Sequence, residues 1–124
     1  MSATSVATSR LNPVSVLSWI LQLAAAGMFL FAGTHKLAAD PMMVQVFETV
    51  GGQWFRYLTG GIELVAGAAL LVPAAAPYAA LVLATVMVGA IATHLFIIGG
   101  SAVPALVLLV VTLAIAWLRR DQLR

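Results

Sequence analysis

The chain has 124 residues, of which 63% are hydrophobic and 8% are charged, and its mean hydropathy is +1.09. These side chains leave too little polar surface to cover a soluble globule, so the composition predicts an integral membrane protein and gives no indication of nucleic-acid binding. The sequence contains no cysteine, which excludes disulfides, thiolate metal sites and cysteine-ligated iron–sulfur clusters within this chain.

The N-terminal part predicts a tail followed by a first membrane span. Residues 1–12 are rich in Ser, Thr and Ala with a single charge, Arg10, which is typical of a short disordered tail. We expect the first span over residues 14–37, ending before Asp40-Pro41, because a residue preceding proline is pushed out of the helical region. A signal peptide cleaved near residues 24–26 is the alternative, but the apolar run exceeds the ~7 to 15 residues of an ordinary signal core.

A short amphipathic helix is predicted over residues 41–50. Pro41 suits a first helical turn with Asp40 as its cap, and Gly51-Gly52 end the segment. Apolar residues recur at helical spacing: Met43, Val46, Phe47 and Val50. The segment is too short to cross a bilayer, so we expect it on the membrane surface or folded over the bundle as a lid.

Three more apolar runs predict spans over residues 54–72, 78–98 and 103–118, followed by a C-terminal tail over residues 121–124. Their short connections predict one all-α domain over residues 13–120, an up-down-up-down four-helix membrane bundle. Lys and Arg are more numerous near the ends assigned to one side: Arg10, Arg119, Arg120 and Arg124, against Lys36 and Arg56. Both termini are therefore expected in the cytoplasm, in a bacterial inner membrane.

Small residues predict where the helices pack closely. On this basis the first three spans are expected to pack against one another through Ala24, Gly27, either Ala32 or Gly33, Gly60, Gly67, Gly89 and Thr93. The fourth span is almost wholly aliphatic, with Thr112 able to bond back to its own helix. We expect that span to face lipid, a partner subunit or a second copy.

Glu63 is the main candidate functional residue, because it lies about nine residues, or ~14 Å, into the second span. A carboxylate at that depth is unfavourable, so it usually faces a bundle interior and pairs with another polar group. Lys36 and His94 are the expected partners in a polar ligand site, and His35 and Arg56 are secondary candidates. Each also has a simpler structural interpretation. Glu63 forms an ion pair for packing, Lys36 extends to the membrane interface, and His94 makes a structural hydrogen bond. His35 is interfacial, and Arg56 is a headgroup or loop anchor. No metal site is predicted.

Several short motifs carry a family resemblance. The segment Phe31-x-Gly33-x-x-Lys36-Leu37, then Gly60-Gly61-Ile62-Glu63, and then Gly89-Ala90-x-x-Thr93-His94-Leu95 resemble the DoxX-like membrane proteins over about residues 29–120. The resemblance implies a four-helix membrane bundle linked to quinone chemistry, with Lys36, Glu63 and His94 at the family's recurring polar positions. It leaves open whether the chain is itself an enzyme.

Three functions are consistent with these patterns. In the first, the chain is an accessory or redox-linked subunit of a membrane oxidoreductase, in which Glu63 and His94 hydrogen-bond or exchange protons with a quinone-like ligand. Its electrons would come from a soluble redox partner or a second membrane subunit, and no covalent cofactor is expected. The second is a proton-coupled transporter, which the absence of an acid in the first span disfavours. The third is a structural or assembly protein.

Overall fold

The computed structural model describes residues 12–123, and within that range the chain is helical with no strand. The elements are α1 (Pro13–Leu37), α2 (Pro41–Thr49), α3 (Gln53–Ala69), α4 (Ala76–Thr93) running into a π-helical segment (His94–Ile98), α5 (Val103–Leu118) and a 3₁₀ turn (Arg120–Leu123). The predicted all-α class is therefore confirmed. The predicted N-terminal tail lies outside the described residues except for Asn12.

Local sequence signals account for both ends of α1. The Asn12 side chain accepts a hydrogen bond from the Ser15 amide at 2.8 Å, and Pro13 occupies the first turn, where its missing N–H is not needed. At the other end Ala39 adopts a φ of 58°, and the Asp40 amide donates to the His35 carbonyl at 3.1 Å. This left-handed residue reverses the chain before Pro41 begins the next helix.

The predicted amphipathic helix corresponds to α2, which folds onto the start of α3. Its buried residue is Phe47, whose ring lies 6.0 Å from that of Phe55 in an edge-on contact. The link between the two helices places Gly51 and Gly52 at φ values of 76° and 87°, which favour glycine. The prediction that Asp40 caps α2 is wrong for its side chain, which makes no capping hydrogen bond although the residue occupies that position.

Two helix ends differ from their predicted positions because of proline. The predicted second span extended to Val72, but α3 ends at Ala69 and residues 70–75 form turns. Pro73 cannot continue a helix, so the chain leaves α3 before it. Conversely, α4 begins at Ala76, ahead of the predicted residue 78, because Pro77 fits a first turn.

The four long helices contact one another in a ring: α1 with α3, α3 with α4, α4 with α5, and α5 with α1. The most extensive contacts are α1 with α3 and α4 with α5. Fully buried Phe29, Leu70, Leu83 and Ile115 fill the centre, one from each helix or its end. The fourth predicted span, α5, packs on both α4 and α1. Its other face is exposed and aliphatic, and the expectation that this face meets lipid, a partner subunit or a second copy stays a prediction.

The outer surface of this bundle is strongly apolar. Two helices, Pro13–Leu37 and Ala76–Ile98, are long and apolar enough to cross a bilayer, with mean hydropathies of 1.9 and 2.4. Only 28% and 17% of their most apolar stretches are buried, so these helices are not the core of a soluble globule. Val103–Leu118 is apolar but shorter. The exposed apolar helices indicate a membrane protein.

Glycine brings α1 and α3 into close contact. A Cβ added at Gly33 would lie 2.8 Å from the Gly60 carbonyl oxygen, and one at Gly67 would lie 3.2 Å from the Phe29 Cβ. The two pairs advance in opposite senses along the chain, so the helices run antiparallel. The expectation that Gly27 and Gly89 also mediate packing is wrong, because a Cβ at either would meet nothing within 4 Å.

Neighbouring glycines offer a matched test of this contact. A Cβ at Gly60 would lie 2.9 Å from the Lys36 Cβ, whereas one at Gly61 would meet nothing within 4 Å. Both replacements gain helix propensity, but only Gly60→Ala overpacks the interface, so we expect it to be less stable than Gly61→Ala by about 1–3 kcal/mol. Reversible unfolding in detergent micelles, followed by circular dichroism, measures the difference. Equal stabilities would contradict the close contact.

Candidate functional site

The main polar feature inside the bundle is an ion pair between α1 and α3. The Nζ of Lys36 lies 2.8 Å from Oε1 of Glu63, and the two side chains are 17% and 2% exposed. Glu63 is thus sealed within the protein, while part of Lys36 can be reached from outside. The structure brings together two of the three residues predicted to form the site.

The glycine contact explains how Lys36 reaches Glu63. The antiparallel packing of α1 and α3 places the Cβ of Lys36 beside Gly60. Glycine has no side chain, so it leaves room at this position for the side chain of Lys36. From there the long side chain extends along about one turn of α3 to the carboxylate. Lys36 therefore points into the bundle, and the alternative that it extends to the membrane interface is wrong.

Arg56 extends this polar site toward α2. Its Nη1 donates to the Lys36 carbonyl oxygen, and its Nε donates to Oε1 of Gln53 at 2.7 Å. The Gln53 side chain in turn donates to the Val44 carbonyl oxygen at 2.9 Å. Arg56 is 4% exposed, and its guanidinium lies 4.4 Å from the centre of the Tyr57 ring. It therefore holds the end of α1, the surface helix α2 and the start of α3 together.

The two histidines lie apart from the ion pair. Nδ1 of His94 lies 2.9 Å from the Gly99 carbonyl oxygen, and Nδ1 of His35 lies 2.9 Å from the Phe31 carbonyl oxygen. The His35 ring also packs on the Phe31 ring at 4.1 Å. Among residues 12–123 no hydrogen bond or ion pair joins either histidine to Lys36 or Glu63. His94 therefore lies outside the Lys36–Glu63 contact, and its place in one ligand site with them stays a prediction.

A second buried polar cluster was not predicted. Oε1 of fully buried Gln22 accepts hydrogen bonds from the Ser18 hydroxyl at 2.7 Å and from Nε of Arg119 at 2.6 Å. Its amide nitrogen donates to the Leu70 carbonyl oxygen at 2.6 Å. Desolvation lowers the pKa of Arg119 from its ordinary value, but a guanidinium remains charged at neutral pH. The sequence does contain a signal for this cluster. Ser18 and Gln22 are polar residues four apart in an apolar run, so they lie on one face of the helix and are expected to point into the bundle.

The chemistry of the first site follows from its two charged groups. A carboxylate and an ammonium in contact can exchange a proton, and the ammonium has further N–H groups for a ligand. Between residues 12 and 123 no group of three or more His, Asp or Glu is placed to hold a metal ion. The site is therefore suited to hydrogen bonding and proton transfer.

Removing one partner of the ion pair tests how strongly it is coupled. Lys36→Met leaves the sealed carboxylate unpaired, so we expect a loss of about 3 kcal/mol or more, because a lone buried charge is unfavourable. Glu63→Gln should lose less, since partly exposed Lys36 can turn toward the interface. The double variant Lys36→Met/Glu63→Gln should be more stable than Lys36→Met alone, and detergent unfolding measures all three.

The control for this series is Glu48→Gln, which removes an exposed acid on α2 and should change stability by less than about 0.5 kcal/mol. Additive losses in the double variant would show that the two side chains do not interact.

Comparison with known families identifies one match. The model of the DoxX-like family matches residues 20–118, which include the Lys36–Glu63 pair and all four long helices in whole or in large part. No curated protein and no solved structure matches the chain significantly. Because the match covers most of the sequence, the chain belongs to the DoxX-like family.

Proposed function

We propose that this DoxX-like membrane protein is an accessory subunit of a bacterial membrane oxidoreductase, with the Lys36–Glu63 pair as its functional site. In this proposal α1, α3, α4 and α5 are four membrane spans in up-down-up-down order, and α2 lies on the membrane surface. The family match, the apolar outer surface and the ring of helix contacts support this arrangement.

The observation that carries the proposal is the unequal exposure of the ion pair. Glu63 is 2% exposed and Lys36 is 17% exposed, so a ligand can meet the lysine while the carboxylate stays hidden behind it. A pair that served packing alone could be replaced by apolar side chains of similar size, often without loss of stability. A buried charge in a membrane helix is also a functional candidate, because it is energetically costly there.

The residues present fit one carbonyl group of a quinone-like ligand. Lys36 supplies the hydrogen-bond donor that such a carbonyl needs. A quinone takes up electrons together with protons when it is reduced, and the electrons would come from a soluble partner or a second membrane subunit. The open apolar groove of about 650 Å³ between α3 and α4 has Ile62 and Ala66 among its lining but not Lys36 or Glu63, so it is not assigned to the ring.

Each residue then has a defined role. Lys36 donates a hydrogen bond to the ligand carbonyl and can release a proton toward it, and Glu63 keeps the ammonium in position and can receive or return a proton. Arg56 holds the backbone carbonyl of Lys36, which fixes the start of the lysine side chain. His94 has no part in this proposal.

A structural role is the second candidate, because the ion pair also joins α1 to α3 where the helices are closest. Lys36→Arg separates the two functions. Arginine keeps the positive charge and the ion pair, but it does not release a proton at physiological pH. A structural pair would keep both stability and activity in this variant, whereas a proton-transferring pair would keep stability and lose activity.

The functional prediction concerns quinone-dependent activity in native membranes. Glu63→Gln and Lys36→Arg should each lower that activity by about 100-fold or more, because they remove a proton-transfer group. Glu48→Gln is the matched control and should leave activity within about twofold, because that acid is exposed on α2. Unchanged activity in folded, correctly inserted Glu63→Gln protein would overturn the proposal.

The proposed topology has a separate test, made simple by the absence of natural cysteine. Ala74 and Ser101 are exposed in the connections after α3 and before α5. If both termini are cytoplasmic, Ser101→Cys should react with a membrane-impermeant thiol reagent added to intact cells, whereas Ala74→Cys should react only after lysis. The reverse pattern would invert the topology, and labelling of both from outside would contradict four spans.

A further inference from the structure

A second groove lies where α5 ends, beside the 3₁₀ turn. It has a volume of about 570 Å³ and is lined by Leu113, Ala114, Ala116, Trp117, Arg120 and Leu123. Aliphatic side chains and one tryptophan make up its walls, and among the described residues that line it Arg120 alone is charged. The groove therefore combines an apolar surface with one cation beyond the helix end.

Arg120 is held in place beside this groove. Its Nη1 donates to the Trp117 carbonyl oxygen at 2.8 Å, and its guanidinium lies 4.1 Å from the centre of the Trp117 ring. The hydrogen bond satisfies one of the carbonyls that every helix leaves unpaired at its C-terminus, where the helix dipole is negative. Arg120 is exposed, and its remaining N–H groups are available to an anion.

The far wall of the groove is also fixed. Leu123 belongs to the 3₁₀ turn, and the Tyr78 hydroxyl at the start of α4 donates to the Gln122 carbonyl oxygen at 2.9 Å. This bond ties the turn to the bundle, so that Leu123 faces the groove as a defined wall. The groove is thus built from α5 and the 3₁₀ turn, and α4 holds the turn in place.

We propose that this groove binds an anionic phospholipid, with the phosphate on Arg120 and an acyl chain along Leu113, Ala114 and Leu123. Charge complementarity selects the headgroup, and the apolar walls need a chain to cover them, which a free phosphate lacks. Trp117 next to the cation is typical of the depth at which lipid headgroups begin. The lipid site is independent of the Lys36–Glu63 pair.

The local charge sets how selective the site can be. Arg119 adds positive potential, but its Nε is already bonded to Gln22, and Asp121 opposes it. The net excess is therefore about one arginine. One cation near a bilayer surface favours an anionic lipid by about fivefold over a zwitterionic lipid with the same chains.

Native mass spectrometry of the full-length protein in detergent tests the headgroup. With phosphatidylglycerol and phosphatidylcholine of identical acyl chains, the natural protein should bind the anionic lipid about fivefold more tightly. Arg120→Gln should abolish this preference, whereas Arg120→Lys, which keeps the positive charge, should retain it. Equal binding of both lipids by the natural protein, or an unchanged preference in Arg120→Gln, would overturn the proposal.

The acyl chain is tested by filling the groove. Ala114→Phe should weaken binding of both lipids, whereas Leu106→Phe, on the exposed surface of α5 outside the groove, should not. Glycerol 3-phosphate distinguishes a lipid site from a site for free phosphate, and it should not displace the lipid at equal concentration. Displacement by this soluble phosphate, or unchanged binding in Ala114→Phe, would contradict a phospholipid site.

Discussion

The structure depends on the close approach of α1 and α3 at Gly33 and Gly60. Side chains at these positions would meet backbone or Cβ atoms of the opposite helix at about 3 Å, so glycine is what allows the two helices to touch. The same approach brings Lys36 near enough to neutralise Glu63, which could not remain charged in an apolar interior by itself. Packing and electrostatics are therefore one constraint: a wider separation of the helices would leave the carboxylate without its partner.

Two polar clusters lie toward opposite ends of α1, and they join different elements of the bundle. Near one end Gln22 bonds to Ser18, to the Leu70 carbonyl just after α3 and to Arg119 beyond α5, which closes the ring of helices. Near the other end Arg56 holds the Lys36 carbonyl and, through Gln53, the surface helix α2. In the first cluster Gln22 is buried and bonded to protein groups, whereas Nη2 of Arg119 is buried with no hydrogen-bond partner among the described residues. Only the second contains an ion pair with one partly exposed member, which is why the functional proposal rests there.

Much of the fold follows from local sequence signals. Helix ends are indicated by Asn12-Pro13, Asp40-Pro41, Gly51-Gly52 and Pro73. Helix caps and the fixed φ of proline act on only a few neighbouring residues, so they can be read from the local sequence. The helix ends missed by a few residues lie where two prolines, Pro73 and Pro77, share one turn. The position of α5 could not be predicted, since its aliphatic surface fits protein and lipid equally well and carries no signal that separates them.

The site was predictable only in part. Glu63 and Lys36 were expected together because a buried acid needs a cation, and the structure pairs them at 2.8 Å. The sequence does not predict the role of Gln22, and it leaves open whether His94 reaches Glu63. Both depend on which helix faces which, and helical spacing within one segment does not contain that information. His94 instead meets the Gly99 carbonyl, where the π-helical segment turns the chain toward α5.

The central claim is that the antiparallel contact of α1 and α3 keeps Lys36 and Glu63 in direct contact within the bilayer. Solid-state NMR on protein reconstituted in lipid, with ¹⁵N at the lysine Nζ and ¹³C at the glutamate carboxyl, measures this separation through the dipolar coupling. We expect a coupling that corresponds to an ion pair, with the Nζ within about 4 Å of a carboxylate oxygen. A vanishing coupling in the folded protein would contradict the ion pair and, with it, the proposed site.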